Sequence, residues 1–184
     1  TEELIGAEAL LRWQNEEYGV VPPDAFISLL ESDPLFPELG EWILRTALED
    51  AKKILRKKPD FVVNVNLSYA QLEQADFTDK VWSILKITGF PADHLCFEIT
   101  ERCRLLDENL LKNIIITLRA GGVRIALDDF GTGYSSIGLM KNLPFDTIKI
   151  DRSFVQKIEE DDKERRLVKN LADAANIFEA KVCV

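Results

Sequence analysis

The stretch that decides the fold is residues 123–136, which read VRIALDDFGTGYSS. It opens as a run of apolar and β-branched residues, which is typical of a buried strand. It then changes into two adjacent carboxylates, Asp128 and Asp129, and a glycine-containing turn at residues 131–133. Burial and mutual repulsion both penalise such a pair, so a cation usually lies beside it. An Asp-rich turn or helix cap after a strand is the alternative, and this stretch alone leaves both interpretations open.

Composition limits the class of protein. The chain has 184 residues, which suits one domain, and its hydrophobic fraction of 46% is ordinary for a globular protein. A formal net charge of -9 argues against general binding to DNA or RNA, because no basic surface is available to displace phosphate counterions. No apolar run has the length of a membrane span, and we expect no signal peptide within these residues.

Cysteine and histidine usage excludes further classes. The three cysteines show no CxxC spacing, so structural zinc and a disulfide framework are poorly supported. This pattern predicts a cytoplasmic location, or the cytoplasmic side of a larger membrane-anchored protein. A Ser-His-Asp or Cys-His catalytic group would have to use the single histidine, His94, which lies in a predicted turn before a strand.

Apolar strands alternate with amphipathic helices along the chain, which predicts an α/β fold with a parallel sheet and right-handed crossovers. The broad apolar face of the second helix is predicted to include Trp42, Ile43 and Ala47. The predicted strands are residues 5–13, 61–67, 95–100, 123–127, 147–150 and 181–184. The predicted helices are residues 25–31, 39–58, 78–88 closed by Gly89, one capped by Asp107 and stopped at 121–122, and 162–178.

An open doubly wound sheet and a barrel both fit this alternation. Neither GxGxxG nor GxxxxGK[ST] occurs, which disfavours a dinucleotide fold and a P-loop. A complete (β/α)8 barrel takes about 250 residues, so this chain accounts for about six strand–helix units of one.

Polar residues interrupt five of the predicted strands. In a parallel sheet or barrel, the carboxyl ends of the strands lie on one rim, so we expect these side chains to gather there. Isolated salt bridges and caps are the alternative. The residues are Glu8, Asn64 and Asn66, Glu98, Asp128 and Asp129, and Lys149.

The ligand types indicate the chemistry. Carboxylate and amide oxygens suit Mg²⁺ or Mn²⁺ rather than zinc, and a second adjacent Asp allows a second ion that would act on a phosphoryl group. Lys149 could hold the attacking water or neutralise charge on a phosphate. An ion pair with Asp151 or Asp146 is its structural alternative.

These residues carry a resemblance to the EAL domain, the bacterial cyclic di-GMP phosphodiesterase family. The similarity runs from end to end of the chain, and the motifs occur in the family's order. They are EALLRW from Glu8, NLS from Asn66, EITE from Glu98, DDFGTGYSS from Asp128, IKID from Ile148 and a PxxFI turn at residues 23–27.

The resemblance implies a modified TIM-type barrel that hydrolyses cyclic di-GMP to linear pGpG with Mg²⁺ or Mn²⁺. It implies that Lys149 contacts the catalytic water and that Glu101 steadies the loop after Asp129. Leu10 and Arg12 would contact the substrate, with a surface salt bridge as the alternative for Arg12. The implied metal ligands are Glu8, Asn66, Glu98 and Asp128 for the first ion, and Asp128 and Asp129 for the second.

Two departures from the family pattern leave a second function open. The family has a strand before the EAL segment and, after the sixth strand, an EGVE-like motif and a glutamine-bearing strand, which residues 1–184 lack. We expect the chain to be part of a longer protein that also carries regulatory domains, and to dimerise through the region after Asp129. The alternative is a catalytically inactive EAL-type module that binds cyclic di-GMP or a partner protein as a sensor.

Overall fold

A computed structural model describes residues 3–131, 136–156 and 158–184. The chain divides into two compact units, Thr1–Cys96 and Phe97–Val184. The division falls within strand β5 (Leu95–Thr100), whose last four residues belong to the second unit.

Two parallel strands of the first unit carry its polar positions. β1 (Gly6–Ala9) lies beside β4 (Val62–Asn66), with Glu8 opposite Asn64. Because side chains alternate along a strand, Asn64 and Asn66 share the face opposite to the buried valines. The strand predicted at residues 61–67 is confirmed, whereas the prediction for residues 5–13 is wrong, since β1 ends at Ala9.

A short antiparallel hairpin follows, which the sequence patterns did not predict. β2 (Trp13–Asn15) pairs with β3 (Gly19–Val21). The Asn15 side chain accepts a hydrogen bond from the Tyr18 N–H at 3.1 Å, and Gly19 adopts a positive φ of 67° to complete the turn. Strands of three residues are too short to display the alternation that identifies a strand.

The buried face of helix α2 agrees only in part with the predicted one. α1 (Pro23–Glu31) precedes α2 (Phe36–Leu55), which packs on β4 and on α4 (Phe77–Thr88). Trp42 is 55% exposed, so the prediction that it faces inward is wrong. The helix begins three residues earlier than predicted, and its buried residues follow Phe36 at intervals of four and then three residues. The buried residues are Phe36, Gly40, Leu44, Leu48 and Ala51.

Local signals set the end of α4 correctly. Gly89 has a φ of 60°, the left-handed conformation that commonly ends a helix. The Lys52 ammonium donates to the Thr88 carbonyl oxygen at 2.6 Å and satisfies one of the last carbonyls of the helix. A four-residue helix, α3 (Tyr69–Leu72), precedes α4, and a 3₁₀ turn (Ala92–His94) leads into β5.

The second unit contains a parallel sheet in the order β5, β6 (Arg124–Phe130), β7 (Thr147–Ile150) and β8 (Lys181–Cys183). β6 pairs parallel with β7, and β7 with β8. Strands β5 and β7 have the predicted bounds. β6 continues to Phe130, three residues beyond its predicted end, so Asp128 and Asp129 lie within the strand.

The helices of this unit follow the predicted pattern in part. α5 (Glu108–Ala120) begins at Asp107, whose side chain accepts from the Leu110 N–H at 2.9 Å. α8 (Asp162–Ile177) was also predicted, but α6 (Ser136–Asn142) and α7 (Arg152–Val155) were not. Among the described residues, none of the helices combines the length and apolar character that crossing a bilayer requires.

Asp146 ties together the amino-terminal ends of three strands. Its carboxylate accepts two hydrogen bonds from the Arg119 guanidinium, at 3.1 and 2.7 Å, and one from the Ile125 N–H at 2.9 Å. Its backbone N–H donates to the Ile125 carbonyl, and its carbonyl accepts from the Lys181 N–H. Asp146 is therefore a structural residue and not the partner of Lys149.

Candidate functional site

Three of the predicted side chains meet in the second unit. The Lys149 ammonium lies 2.8 Å from Glu98 Oε2 and 3.3 Å from Asp128 Oδ2. Glu98 is buried in β5, whereas Lys149 and Asp128 are about one-fifth exposed. A carboxylate buried to this degree requires a cationic partner. The three groups together carry one net negative charge, which favours a further cation.

A β-bulge brings both aspartates beside the lysine. Leu127 pairs with Ile148, and Phe130 pairs with Ile150. Asp128 and Asp129 on β6 therefore stand opposite the single residue Lys149 on β7. Such bulges bend a strand and redirect its side chains, and they occur often next to active sites.

Asp129 takes the strained position of the bulge. Its φ is 54°, in the left-handed region that costs an L-residue roughly 1–2 kcal/mol. The Asp129 N–H donates to Asp128 Oδ1 at 2.9 Å, which fixes the orientation of the Asp128 carboxylate. A residue held in such a conformation next to buried charges suggests a functional constraint.

The strand ends against α7 and α8. Gly131 has a φ of 102°, and a Cβ atom at this position would lie 2.8 Å from the Phe154 ring and 3.4 Å from Leu171. Only glycine fits here, for both reasons. The Asp151 N–H donates to the Phe130 carbonyl at 3.3 Å, so the start of the loop after β6 is fixed. Residues 132–135 of that loop lie outside the described residues.

Asp151 has a separate structural role. It caps α7 by accepting from the Ser153 N–H at 2.9 Å. Hydrogen bonds from the Ser153 side chain and backbone hold the pKa of the Asp151 carboxyl below its usual range. Among the described residues, the Lys149 ammonium bonds to Glu98 and Asp128. It does not bond to Asp151 or Asp146, the alternative partners.

The first unit brings together the other two predicted metal ligands. Asn66 Nδ2 donates to Glu8 Oε1 at 2.6 Å, and both side chains are exposed to solvent. Because the amide nitrogen faces the carboxylate, the amide oxygen Oδ1 is turned away from Glu8 and can act as an acceptor or a cation ligand. The pair thus contains a carboxylate and an amide oxygen, both of the kind that binds a divalent cation.

The residues after β1 are held by an aromatic contact. The rings of Trp13 and Phe26 meet edge to face, with centroids 5.5 Å apart. Leu10 is 51% exposed, and Arg12 is exposed and donates to the Leu11 carbonyl oxygen at 3.0 Å. Within the described residues Arg12 forms no salt bridge, which was the structural alternative to a role in substrate binding. The Glu101 side chain lies outside the described part of the chain.

The chemistry of these side chains fits a divalent metal ion. Glu8 and Asn66 offer a carboxylate and an amide oxygen, and Glu98 and Asp128 offer carboxylates, all of which suit Mg²⁺ or Mn²⁺. His94 is engaged elsewhere, because its Nδ1 lies 2.7 Å from the Phe61 carbonyl oxygen. Within the described ranges, no three His, Cys, Asp or Glu side chains form a metal-binding group by themselves. The metal assignments thus remain predictions whose chemistry the residues fit.

The curated relatives that this chain matches are several times longer than the chain. A signalling protein from Caulobacter vibrioides is 39% identical over 183 residues, covering 98% of this chain and 22% of that protein. The Pseudomonas aeruginosa protein MucR, named as a bifunctional diguanylate cyclase/cyclic di-GMP phosphodiesterase, is 34% identical over 97% of this chain and 26% of its own length. The chain spans between 22% and 30% of the length of the first curated relatives it matches.

Solved structures confirm the fold class, a modified TIM-type α/β barrel. The PaMucR phosphodiesterase in complex with c-di-GMP has a TM-score of 0.89 and 35% identity, covering 97% of this chain and 72% of that one. The EAL enzyme Bd1971, in a form bound to cAMP and cyclic di-GMP, has a TM-score of 0.90 and 31% identity, covering 97% and 50%. The family model described as the EAL domain matches residues 1–184. From its motifs, its fold and this match, the chain belongs to the EAL domain family.

Proposed function

We propose that this chain forms the catalytic domain of a metal-dependent phosphodiesterase that hydrolyses cyclic di-GMP to linear pGpG in bacterial second-messenger signalling. The observation that carries the proposal is the Lys149 ammonium held between Glu98 and Asp128, with a second carboxylate, Asp129, presented by the bulge. The name of the MucR relative and the ligand of its solved structure support the choice of substrate.

The metal would be Mg²⁺ or Mn²⁺, in a site for two ions. The residues proposed to hold the first ion are Glu8, Asn66, Glu98 and Asp128, and those proposed for the second are Asp128 and Asp129. The chemistry that such cations supply is a lower pKa for water and polarisation of phosphoryl oxygens. Their charge also explains how a chain of net charge -9 would bind a phosphodiester.

Lys149 has a distinct task in the reaction. Its ammonium is held by two carboxylates, so it can donate to the attacking water and offset charge that develops on the phosphoryl oxygens. The water oxygen bonds to phosphorus, and the bond from phosphorus to the 3′ oxygen breaks. The proton lost by the water ends on that 3′ oxygen, which leaves a 3′ hydroxyl and a 5′ phosphate.

The remaining assignments concern substrate and regulation. Arg12 would bind a substrate phosphate through its planar guanidinium, and Leu10 would contact the ligand nearby. Glu101 would steady the loop after Asp129, and a dimer formed through this loop would regulate activity. A cytoplasmic location, or the cytoplasmic side of a membrane-anchored protein, accords with three cysteines that are present as thiols.

Hydrolysis of cyclic di-GMP by the full-length protein tests the proposal. The wild type is incubated with Mg²⁺ or Mn²⁺ and pGpG is followed by chromatography, beside Asp129→Asn and a matched control, Asp173→Asn, which replaces an exposed aspartate on α8. We expect pGpG from the wild type and the control and a loss of at least about 100-fold for Asp129→Asn.

Binding separates the two candidate functions. The affinity for cyclic di-GMP is measured in the same samples by calorimetry. If the wild type binds the dinucleotide but releases no pGpG with either metal, the catalytic proposal is wrong and the domain is a receptor.

A further inference from the structure

The turn after β4 contains a pair of side-chain hydrogen bonds close to Asn66. We propose that Gln71, supported by Gly40 of α2, is a positioning residue that holds this turn so that Asn66 can bind the metal. The inference rests on the metal-binding role proposed above for Asn66. No contact between Gln71 and substrate is involved.

Ser68 and Gln71 form a reciprocal pair of hydrogen bonds. The Ser68 side chain, at the start of α3, accepts from the Ala70 N–H at 3.2 Å. The Gln71 side chain reaches back, and its Oε1 accepts from the Ser68 N–H at 3.1 Å. This arrangement is a capping box, which satisfies two backbone donors at once and restricts the direction in which the chain enters the helix.

Helix α3 is too short to account for this restraint by itself. It has four residues, and an isolated helix of that length is not stable in water. The direction of the chain after β4 therefore depends on side-chain bonds and on packing against α2, which contacts α3. Leu72, the last residue of α3, is buried.

Gly40 supplies the space that Gln71 occupies. It is a buried position of α2, where glycine is a poor helix former. A Cβ atom at residue 40 would overlap the Gln71 amide nitrogen and lie 2.7 Å from its Cδ and 3.2 Å from its Cγ. Since Cδ carries the oxygen bonded to Ser68, an alanine at residue 40 would displace that oxygen as well.

Asn66 lies directly before the restrained turn. It is the last residue of β4, two residues ahead of Ser68, and its Nδ2 donates to Glu8 at 2.6 Å. The two ends of this short segment are thus fixed, one by Glu8 and one by Gln71. Fixing the direction of the amide oxygen lowers the cost of ordering a ligand when a cation binds.

The test compares metal affinity in the full-length protein. Mn²⁺ binding is measured by calorimetry, without substrate, for the wild type, Gln71→Ala and Gln71→Glu. We expect Gln71→Ala to raise the dissociation constant about 10-fold or more, as loss of a group that orients a ligand commonly does. Gln71→Glu should stay near the wild-type value, because glutamate forms the same capping box. Gln74→Ala is the matched control, since in the part of the chain that the structure describes the Gln74 side chain bonds only to the Ala70 carbonyl of α3.

Gly40→Ala provides a second, remote perturbation. It should also weaken Mn²⁺ binding, although glycine-to-alanine changes ordinarily favour a helix. Unchanged Mn²⁺ affinity in both Gln71→Ala and Gly40→Ala would overturn the inference, as would an equal loss in the Gln74→Ala control. Gly40→Ala remains informative if Gln71→Ala does not fold.

Failure of this inference is distinguishable from failure of the proposed function. A wild type that hydrolyses cyclic di-GMP while Gln71→Ala keeps its Mn²⁺ affinity and kcat/KM contradicts the positioning role alone. A wild type that binds Mn²⁺ without hydrolysis contradicts the enzyme proposal, and the affinities of the variants still decide the role of Gln71.

Discussion

Replacing Lys149 by methionine removes the cation from the Glu98–Asp128 pair while retaining an unbranched side chain. In the absence of divalent metal, Lys149→Met leaves a buried carboxylate and its neighbour without the ammonium that lies 2.8 and 3.3 Å away. We expect two opposite effects. The variant should be less stable without metal. It should also bind divalent cations more tightly, because the positive charge of Lys149, which repels a metal cation, no longer lies between the two carboxylates.

The expected loss of stability follows from burial. Breaking a fully buried ion pair costs about 3–5 kcal/mol, and a hydrogen bond to a charged group contributes about 1.5–3 kcal/mol. The Glu98 side chain is 0% exposed, but those of Lys149 and Asp128 are 22% and 21% exposed, which allows water to solvate them in part. We therefore expect a loss of about 2–3 kcal/mol, or about 4–12 °C in Tm for a protein of this size.

The assay is chemical denaturation in EDTA and again in excess Mn²⁺, with Lys169→Met as a control for loss of an exposed lysine on α8. A cation at 100 times its dissociation constant stabilises the folded state by about 2.7 kcal/mol. Because Lys149→Met should bind Mn²⁺ more tightly, its deficit relative to the wild type should shrink in Mn²⁺, while hydrolysis of cyclic di-GMP is lost.

Two results would refute this reasoning. A deficit below about 1 kcal/mol in EDTA would mean that the ammonium does not compensate the buried carboxylate. A deficit of the same size in EDTA and in Mn²⁺ would mean that no cation replaces the ammonium near Glu98 and Asp128.

Three further predictions concern the scaffold. Asp146→Ala should lower the free energy of unfolding by about 1.5–3 kcal/mol, because it removes the Arg119 bonds and leaves the Ile125 N–H without its acceptor. Urea denaturation measures this change, and a loss under about 0.5 kcal/mol would contradict the structural role of Asp146. Gly138→Ala in α6 should raise the free energy of unfolding by about 0.5–1 kcal/mol, since no described atom lies within 4 Å of the new Cβ. Gly89→Ala should instead lower it by about 1–2 kcal/mol, because Gly89 has a φ of 60°. Thermal melts that gave both substitutions the same sign would contradict this prediction. The folded-state pKa of Asp151 is lowered, so the contribution of its carboxylate to stability is complete above the unfolded pKa of about 3.9 and is lost as pH falls through the lower folded value. Asp151→Asn should therefore flatten the dependence of the free energy of unfolding on pH in that acidic range. An unaltered pH profile would contradict the contribution of Asp151.

Residues whose structure depends on local chemistry were predictable from the sequence. Asp107 caps α5 and Gly89 ends α4 as expected, because a capping oxygen and a left-handed glycine act on their own neighbours in the chain. The bounds of β5 and β7 were also correct. β5 is a nearly continuous run of buried residues and β7 alternates between buried and half-buried ones, and both patterns are typical of strands. The capping box at Ser68 and Gln71 also had a readable pattern, S-x-x-Q, although it was not predicted.

Features that depend on packing could not be predicted. The inward face of α2 was wrong at Trp42, because which helix face is buried depends on where α4 and β4 lie. The end of the first strand at Ala9 depends on its pairing with β4, which is distant in sequence, whereas the β2–β3 hairpin is a local pairing of strands too short to show alternation. The extension of β6 through Asp128 and Asp129 requires the register with β7, which no local pattern contains.

The sequence by itself determined the kinds of atoms available: oxygen ligands at Glu8, Asn66, Glu98 and the two aspartates, the ammonium of Lys149, and motifs in the order of the EAL family. Tertiary structure alone decided which of these touch. Lys149 could have paired with Asp146 or Asp151, which are near in sequence, but the register of β6 on β7 sets it beside Asp128, and Glu98 reaches it from β5. The physical reason is that charge and donor type belong to single residues, whereas distance and burial are properties of chain segments brought together by folding.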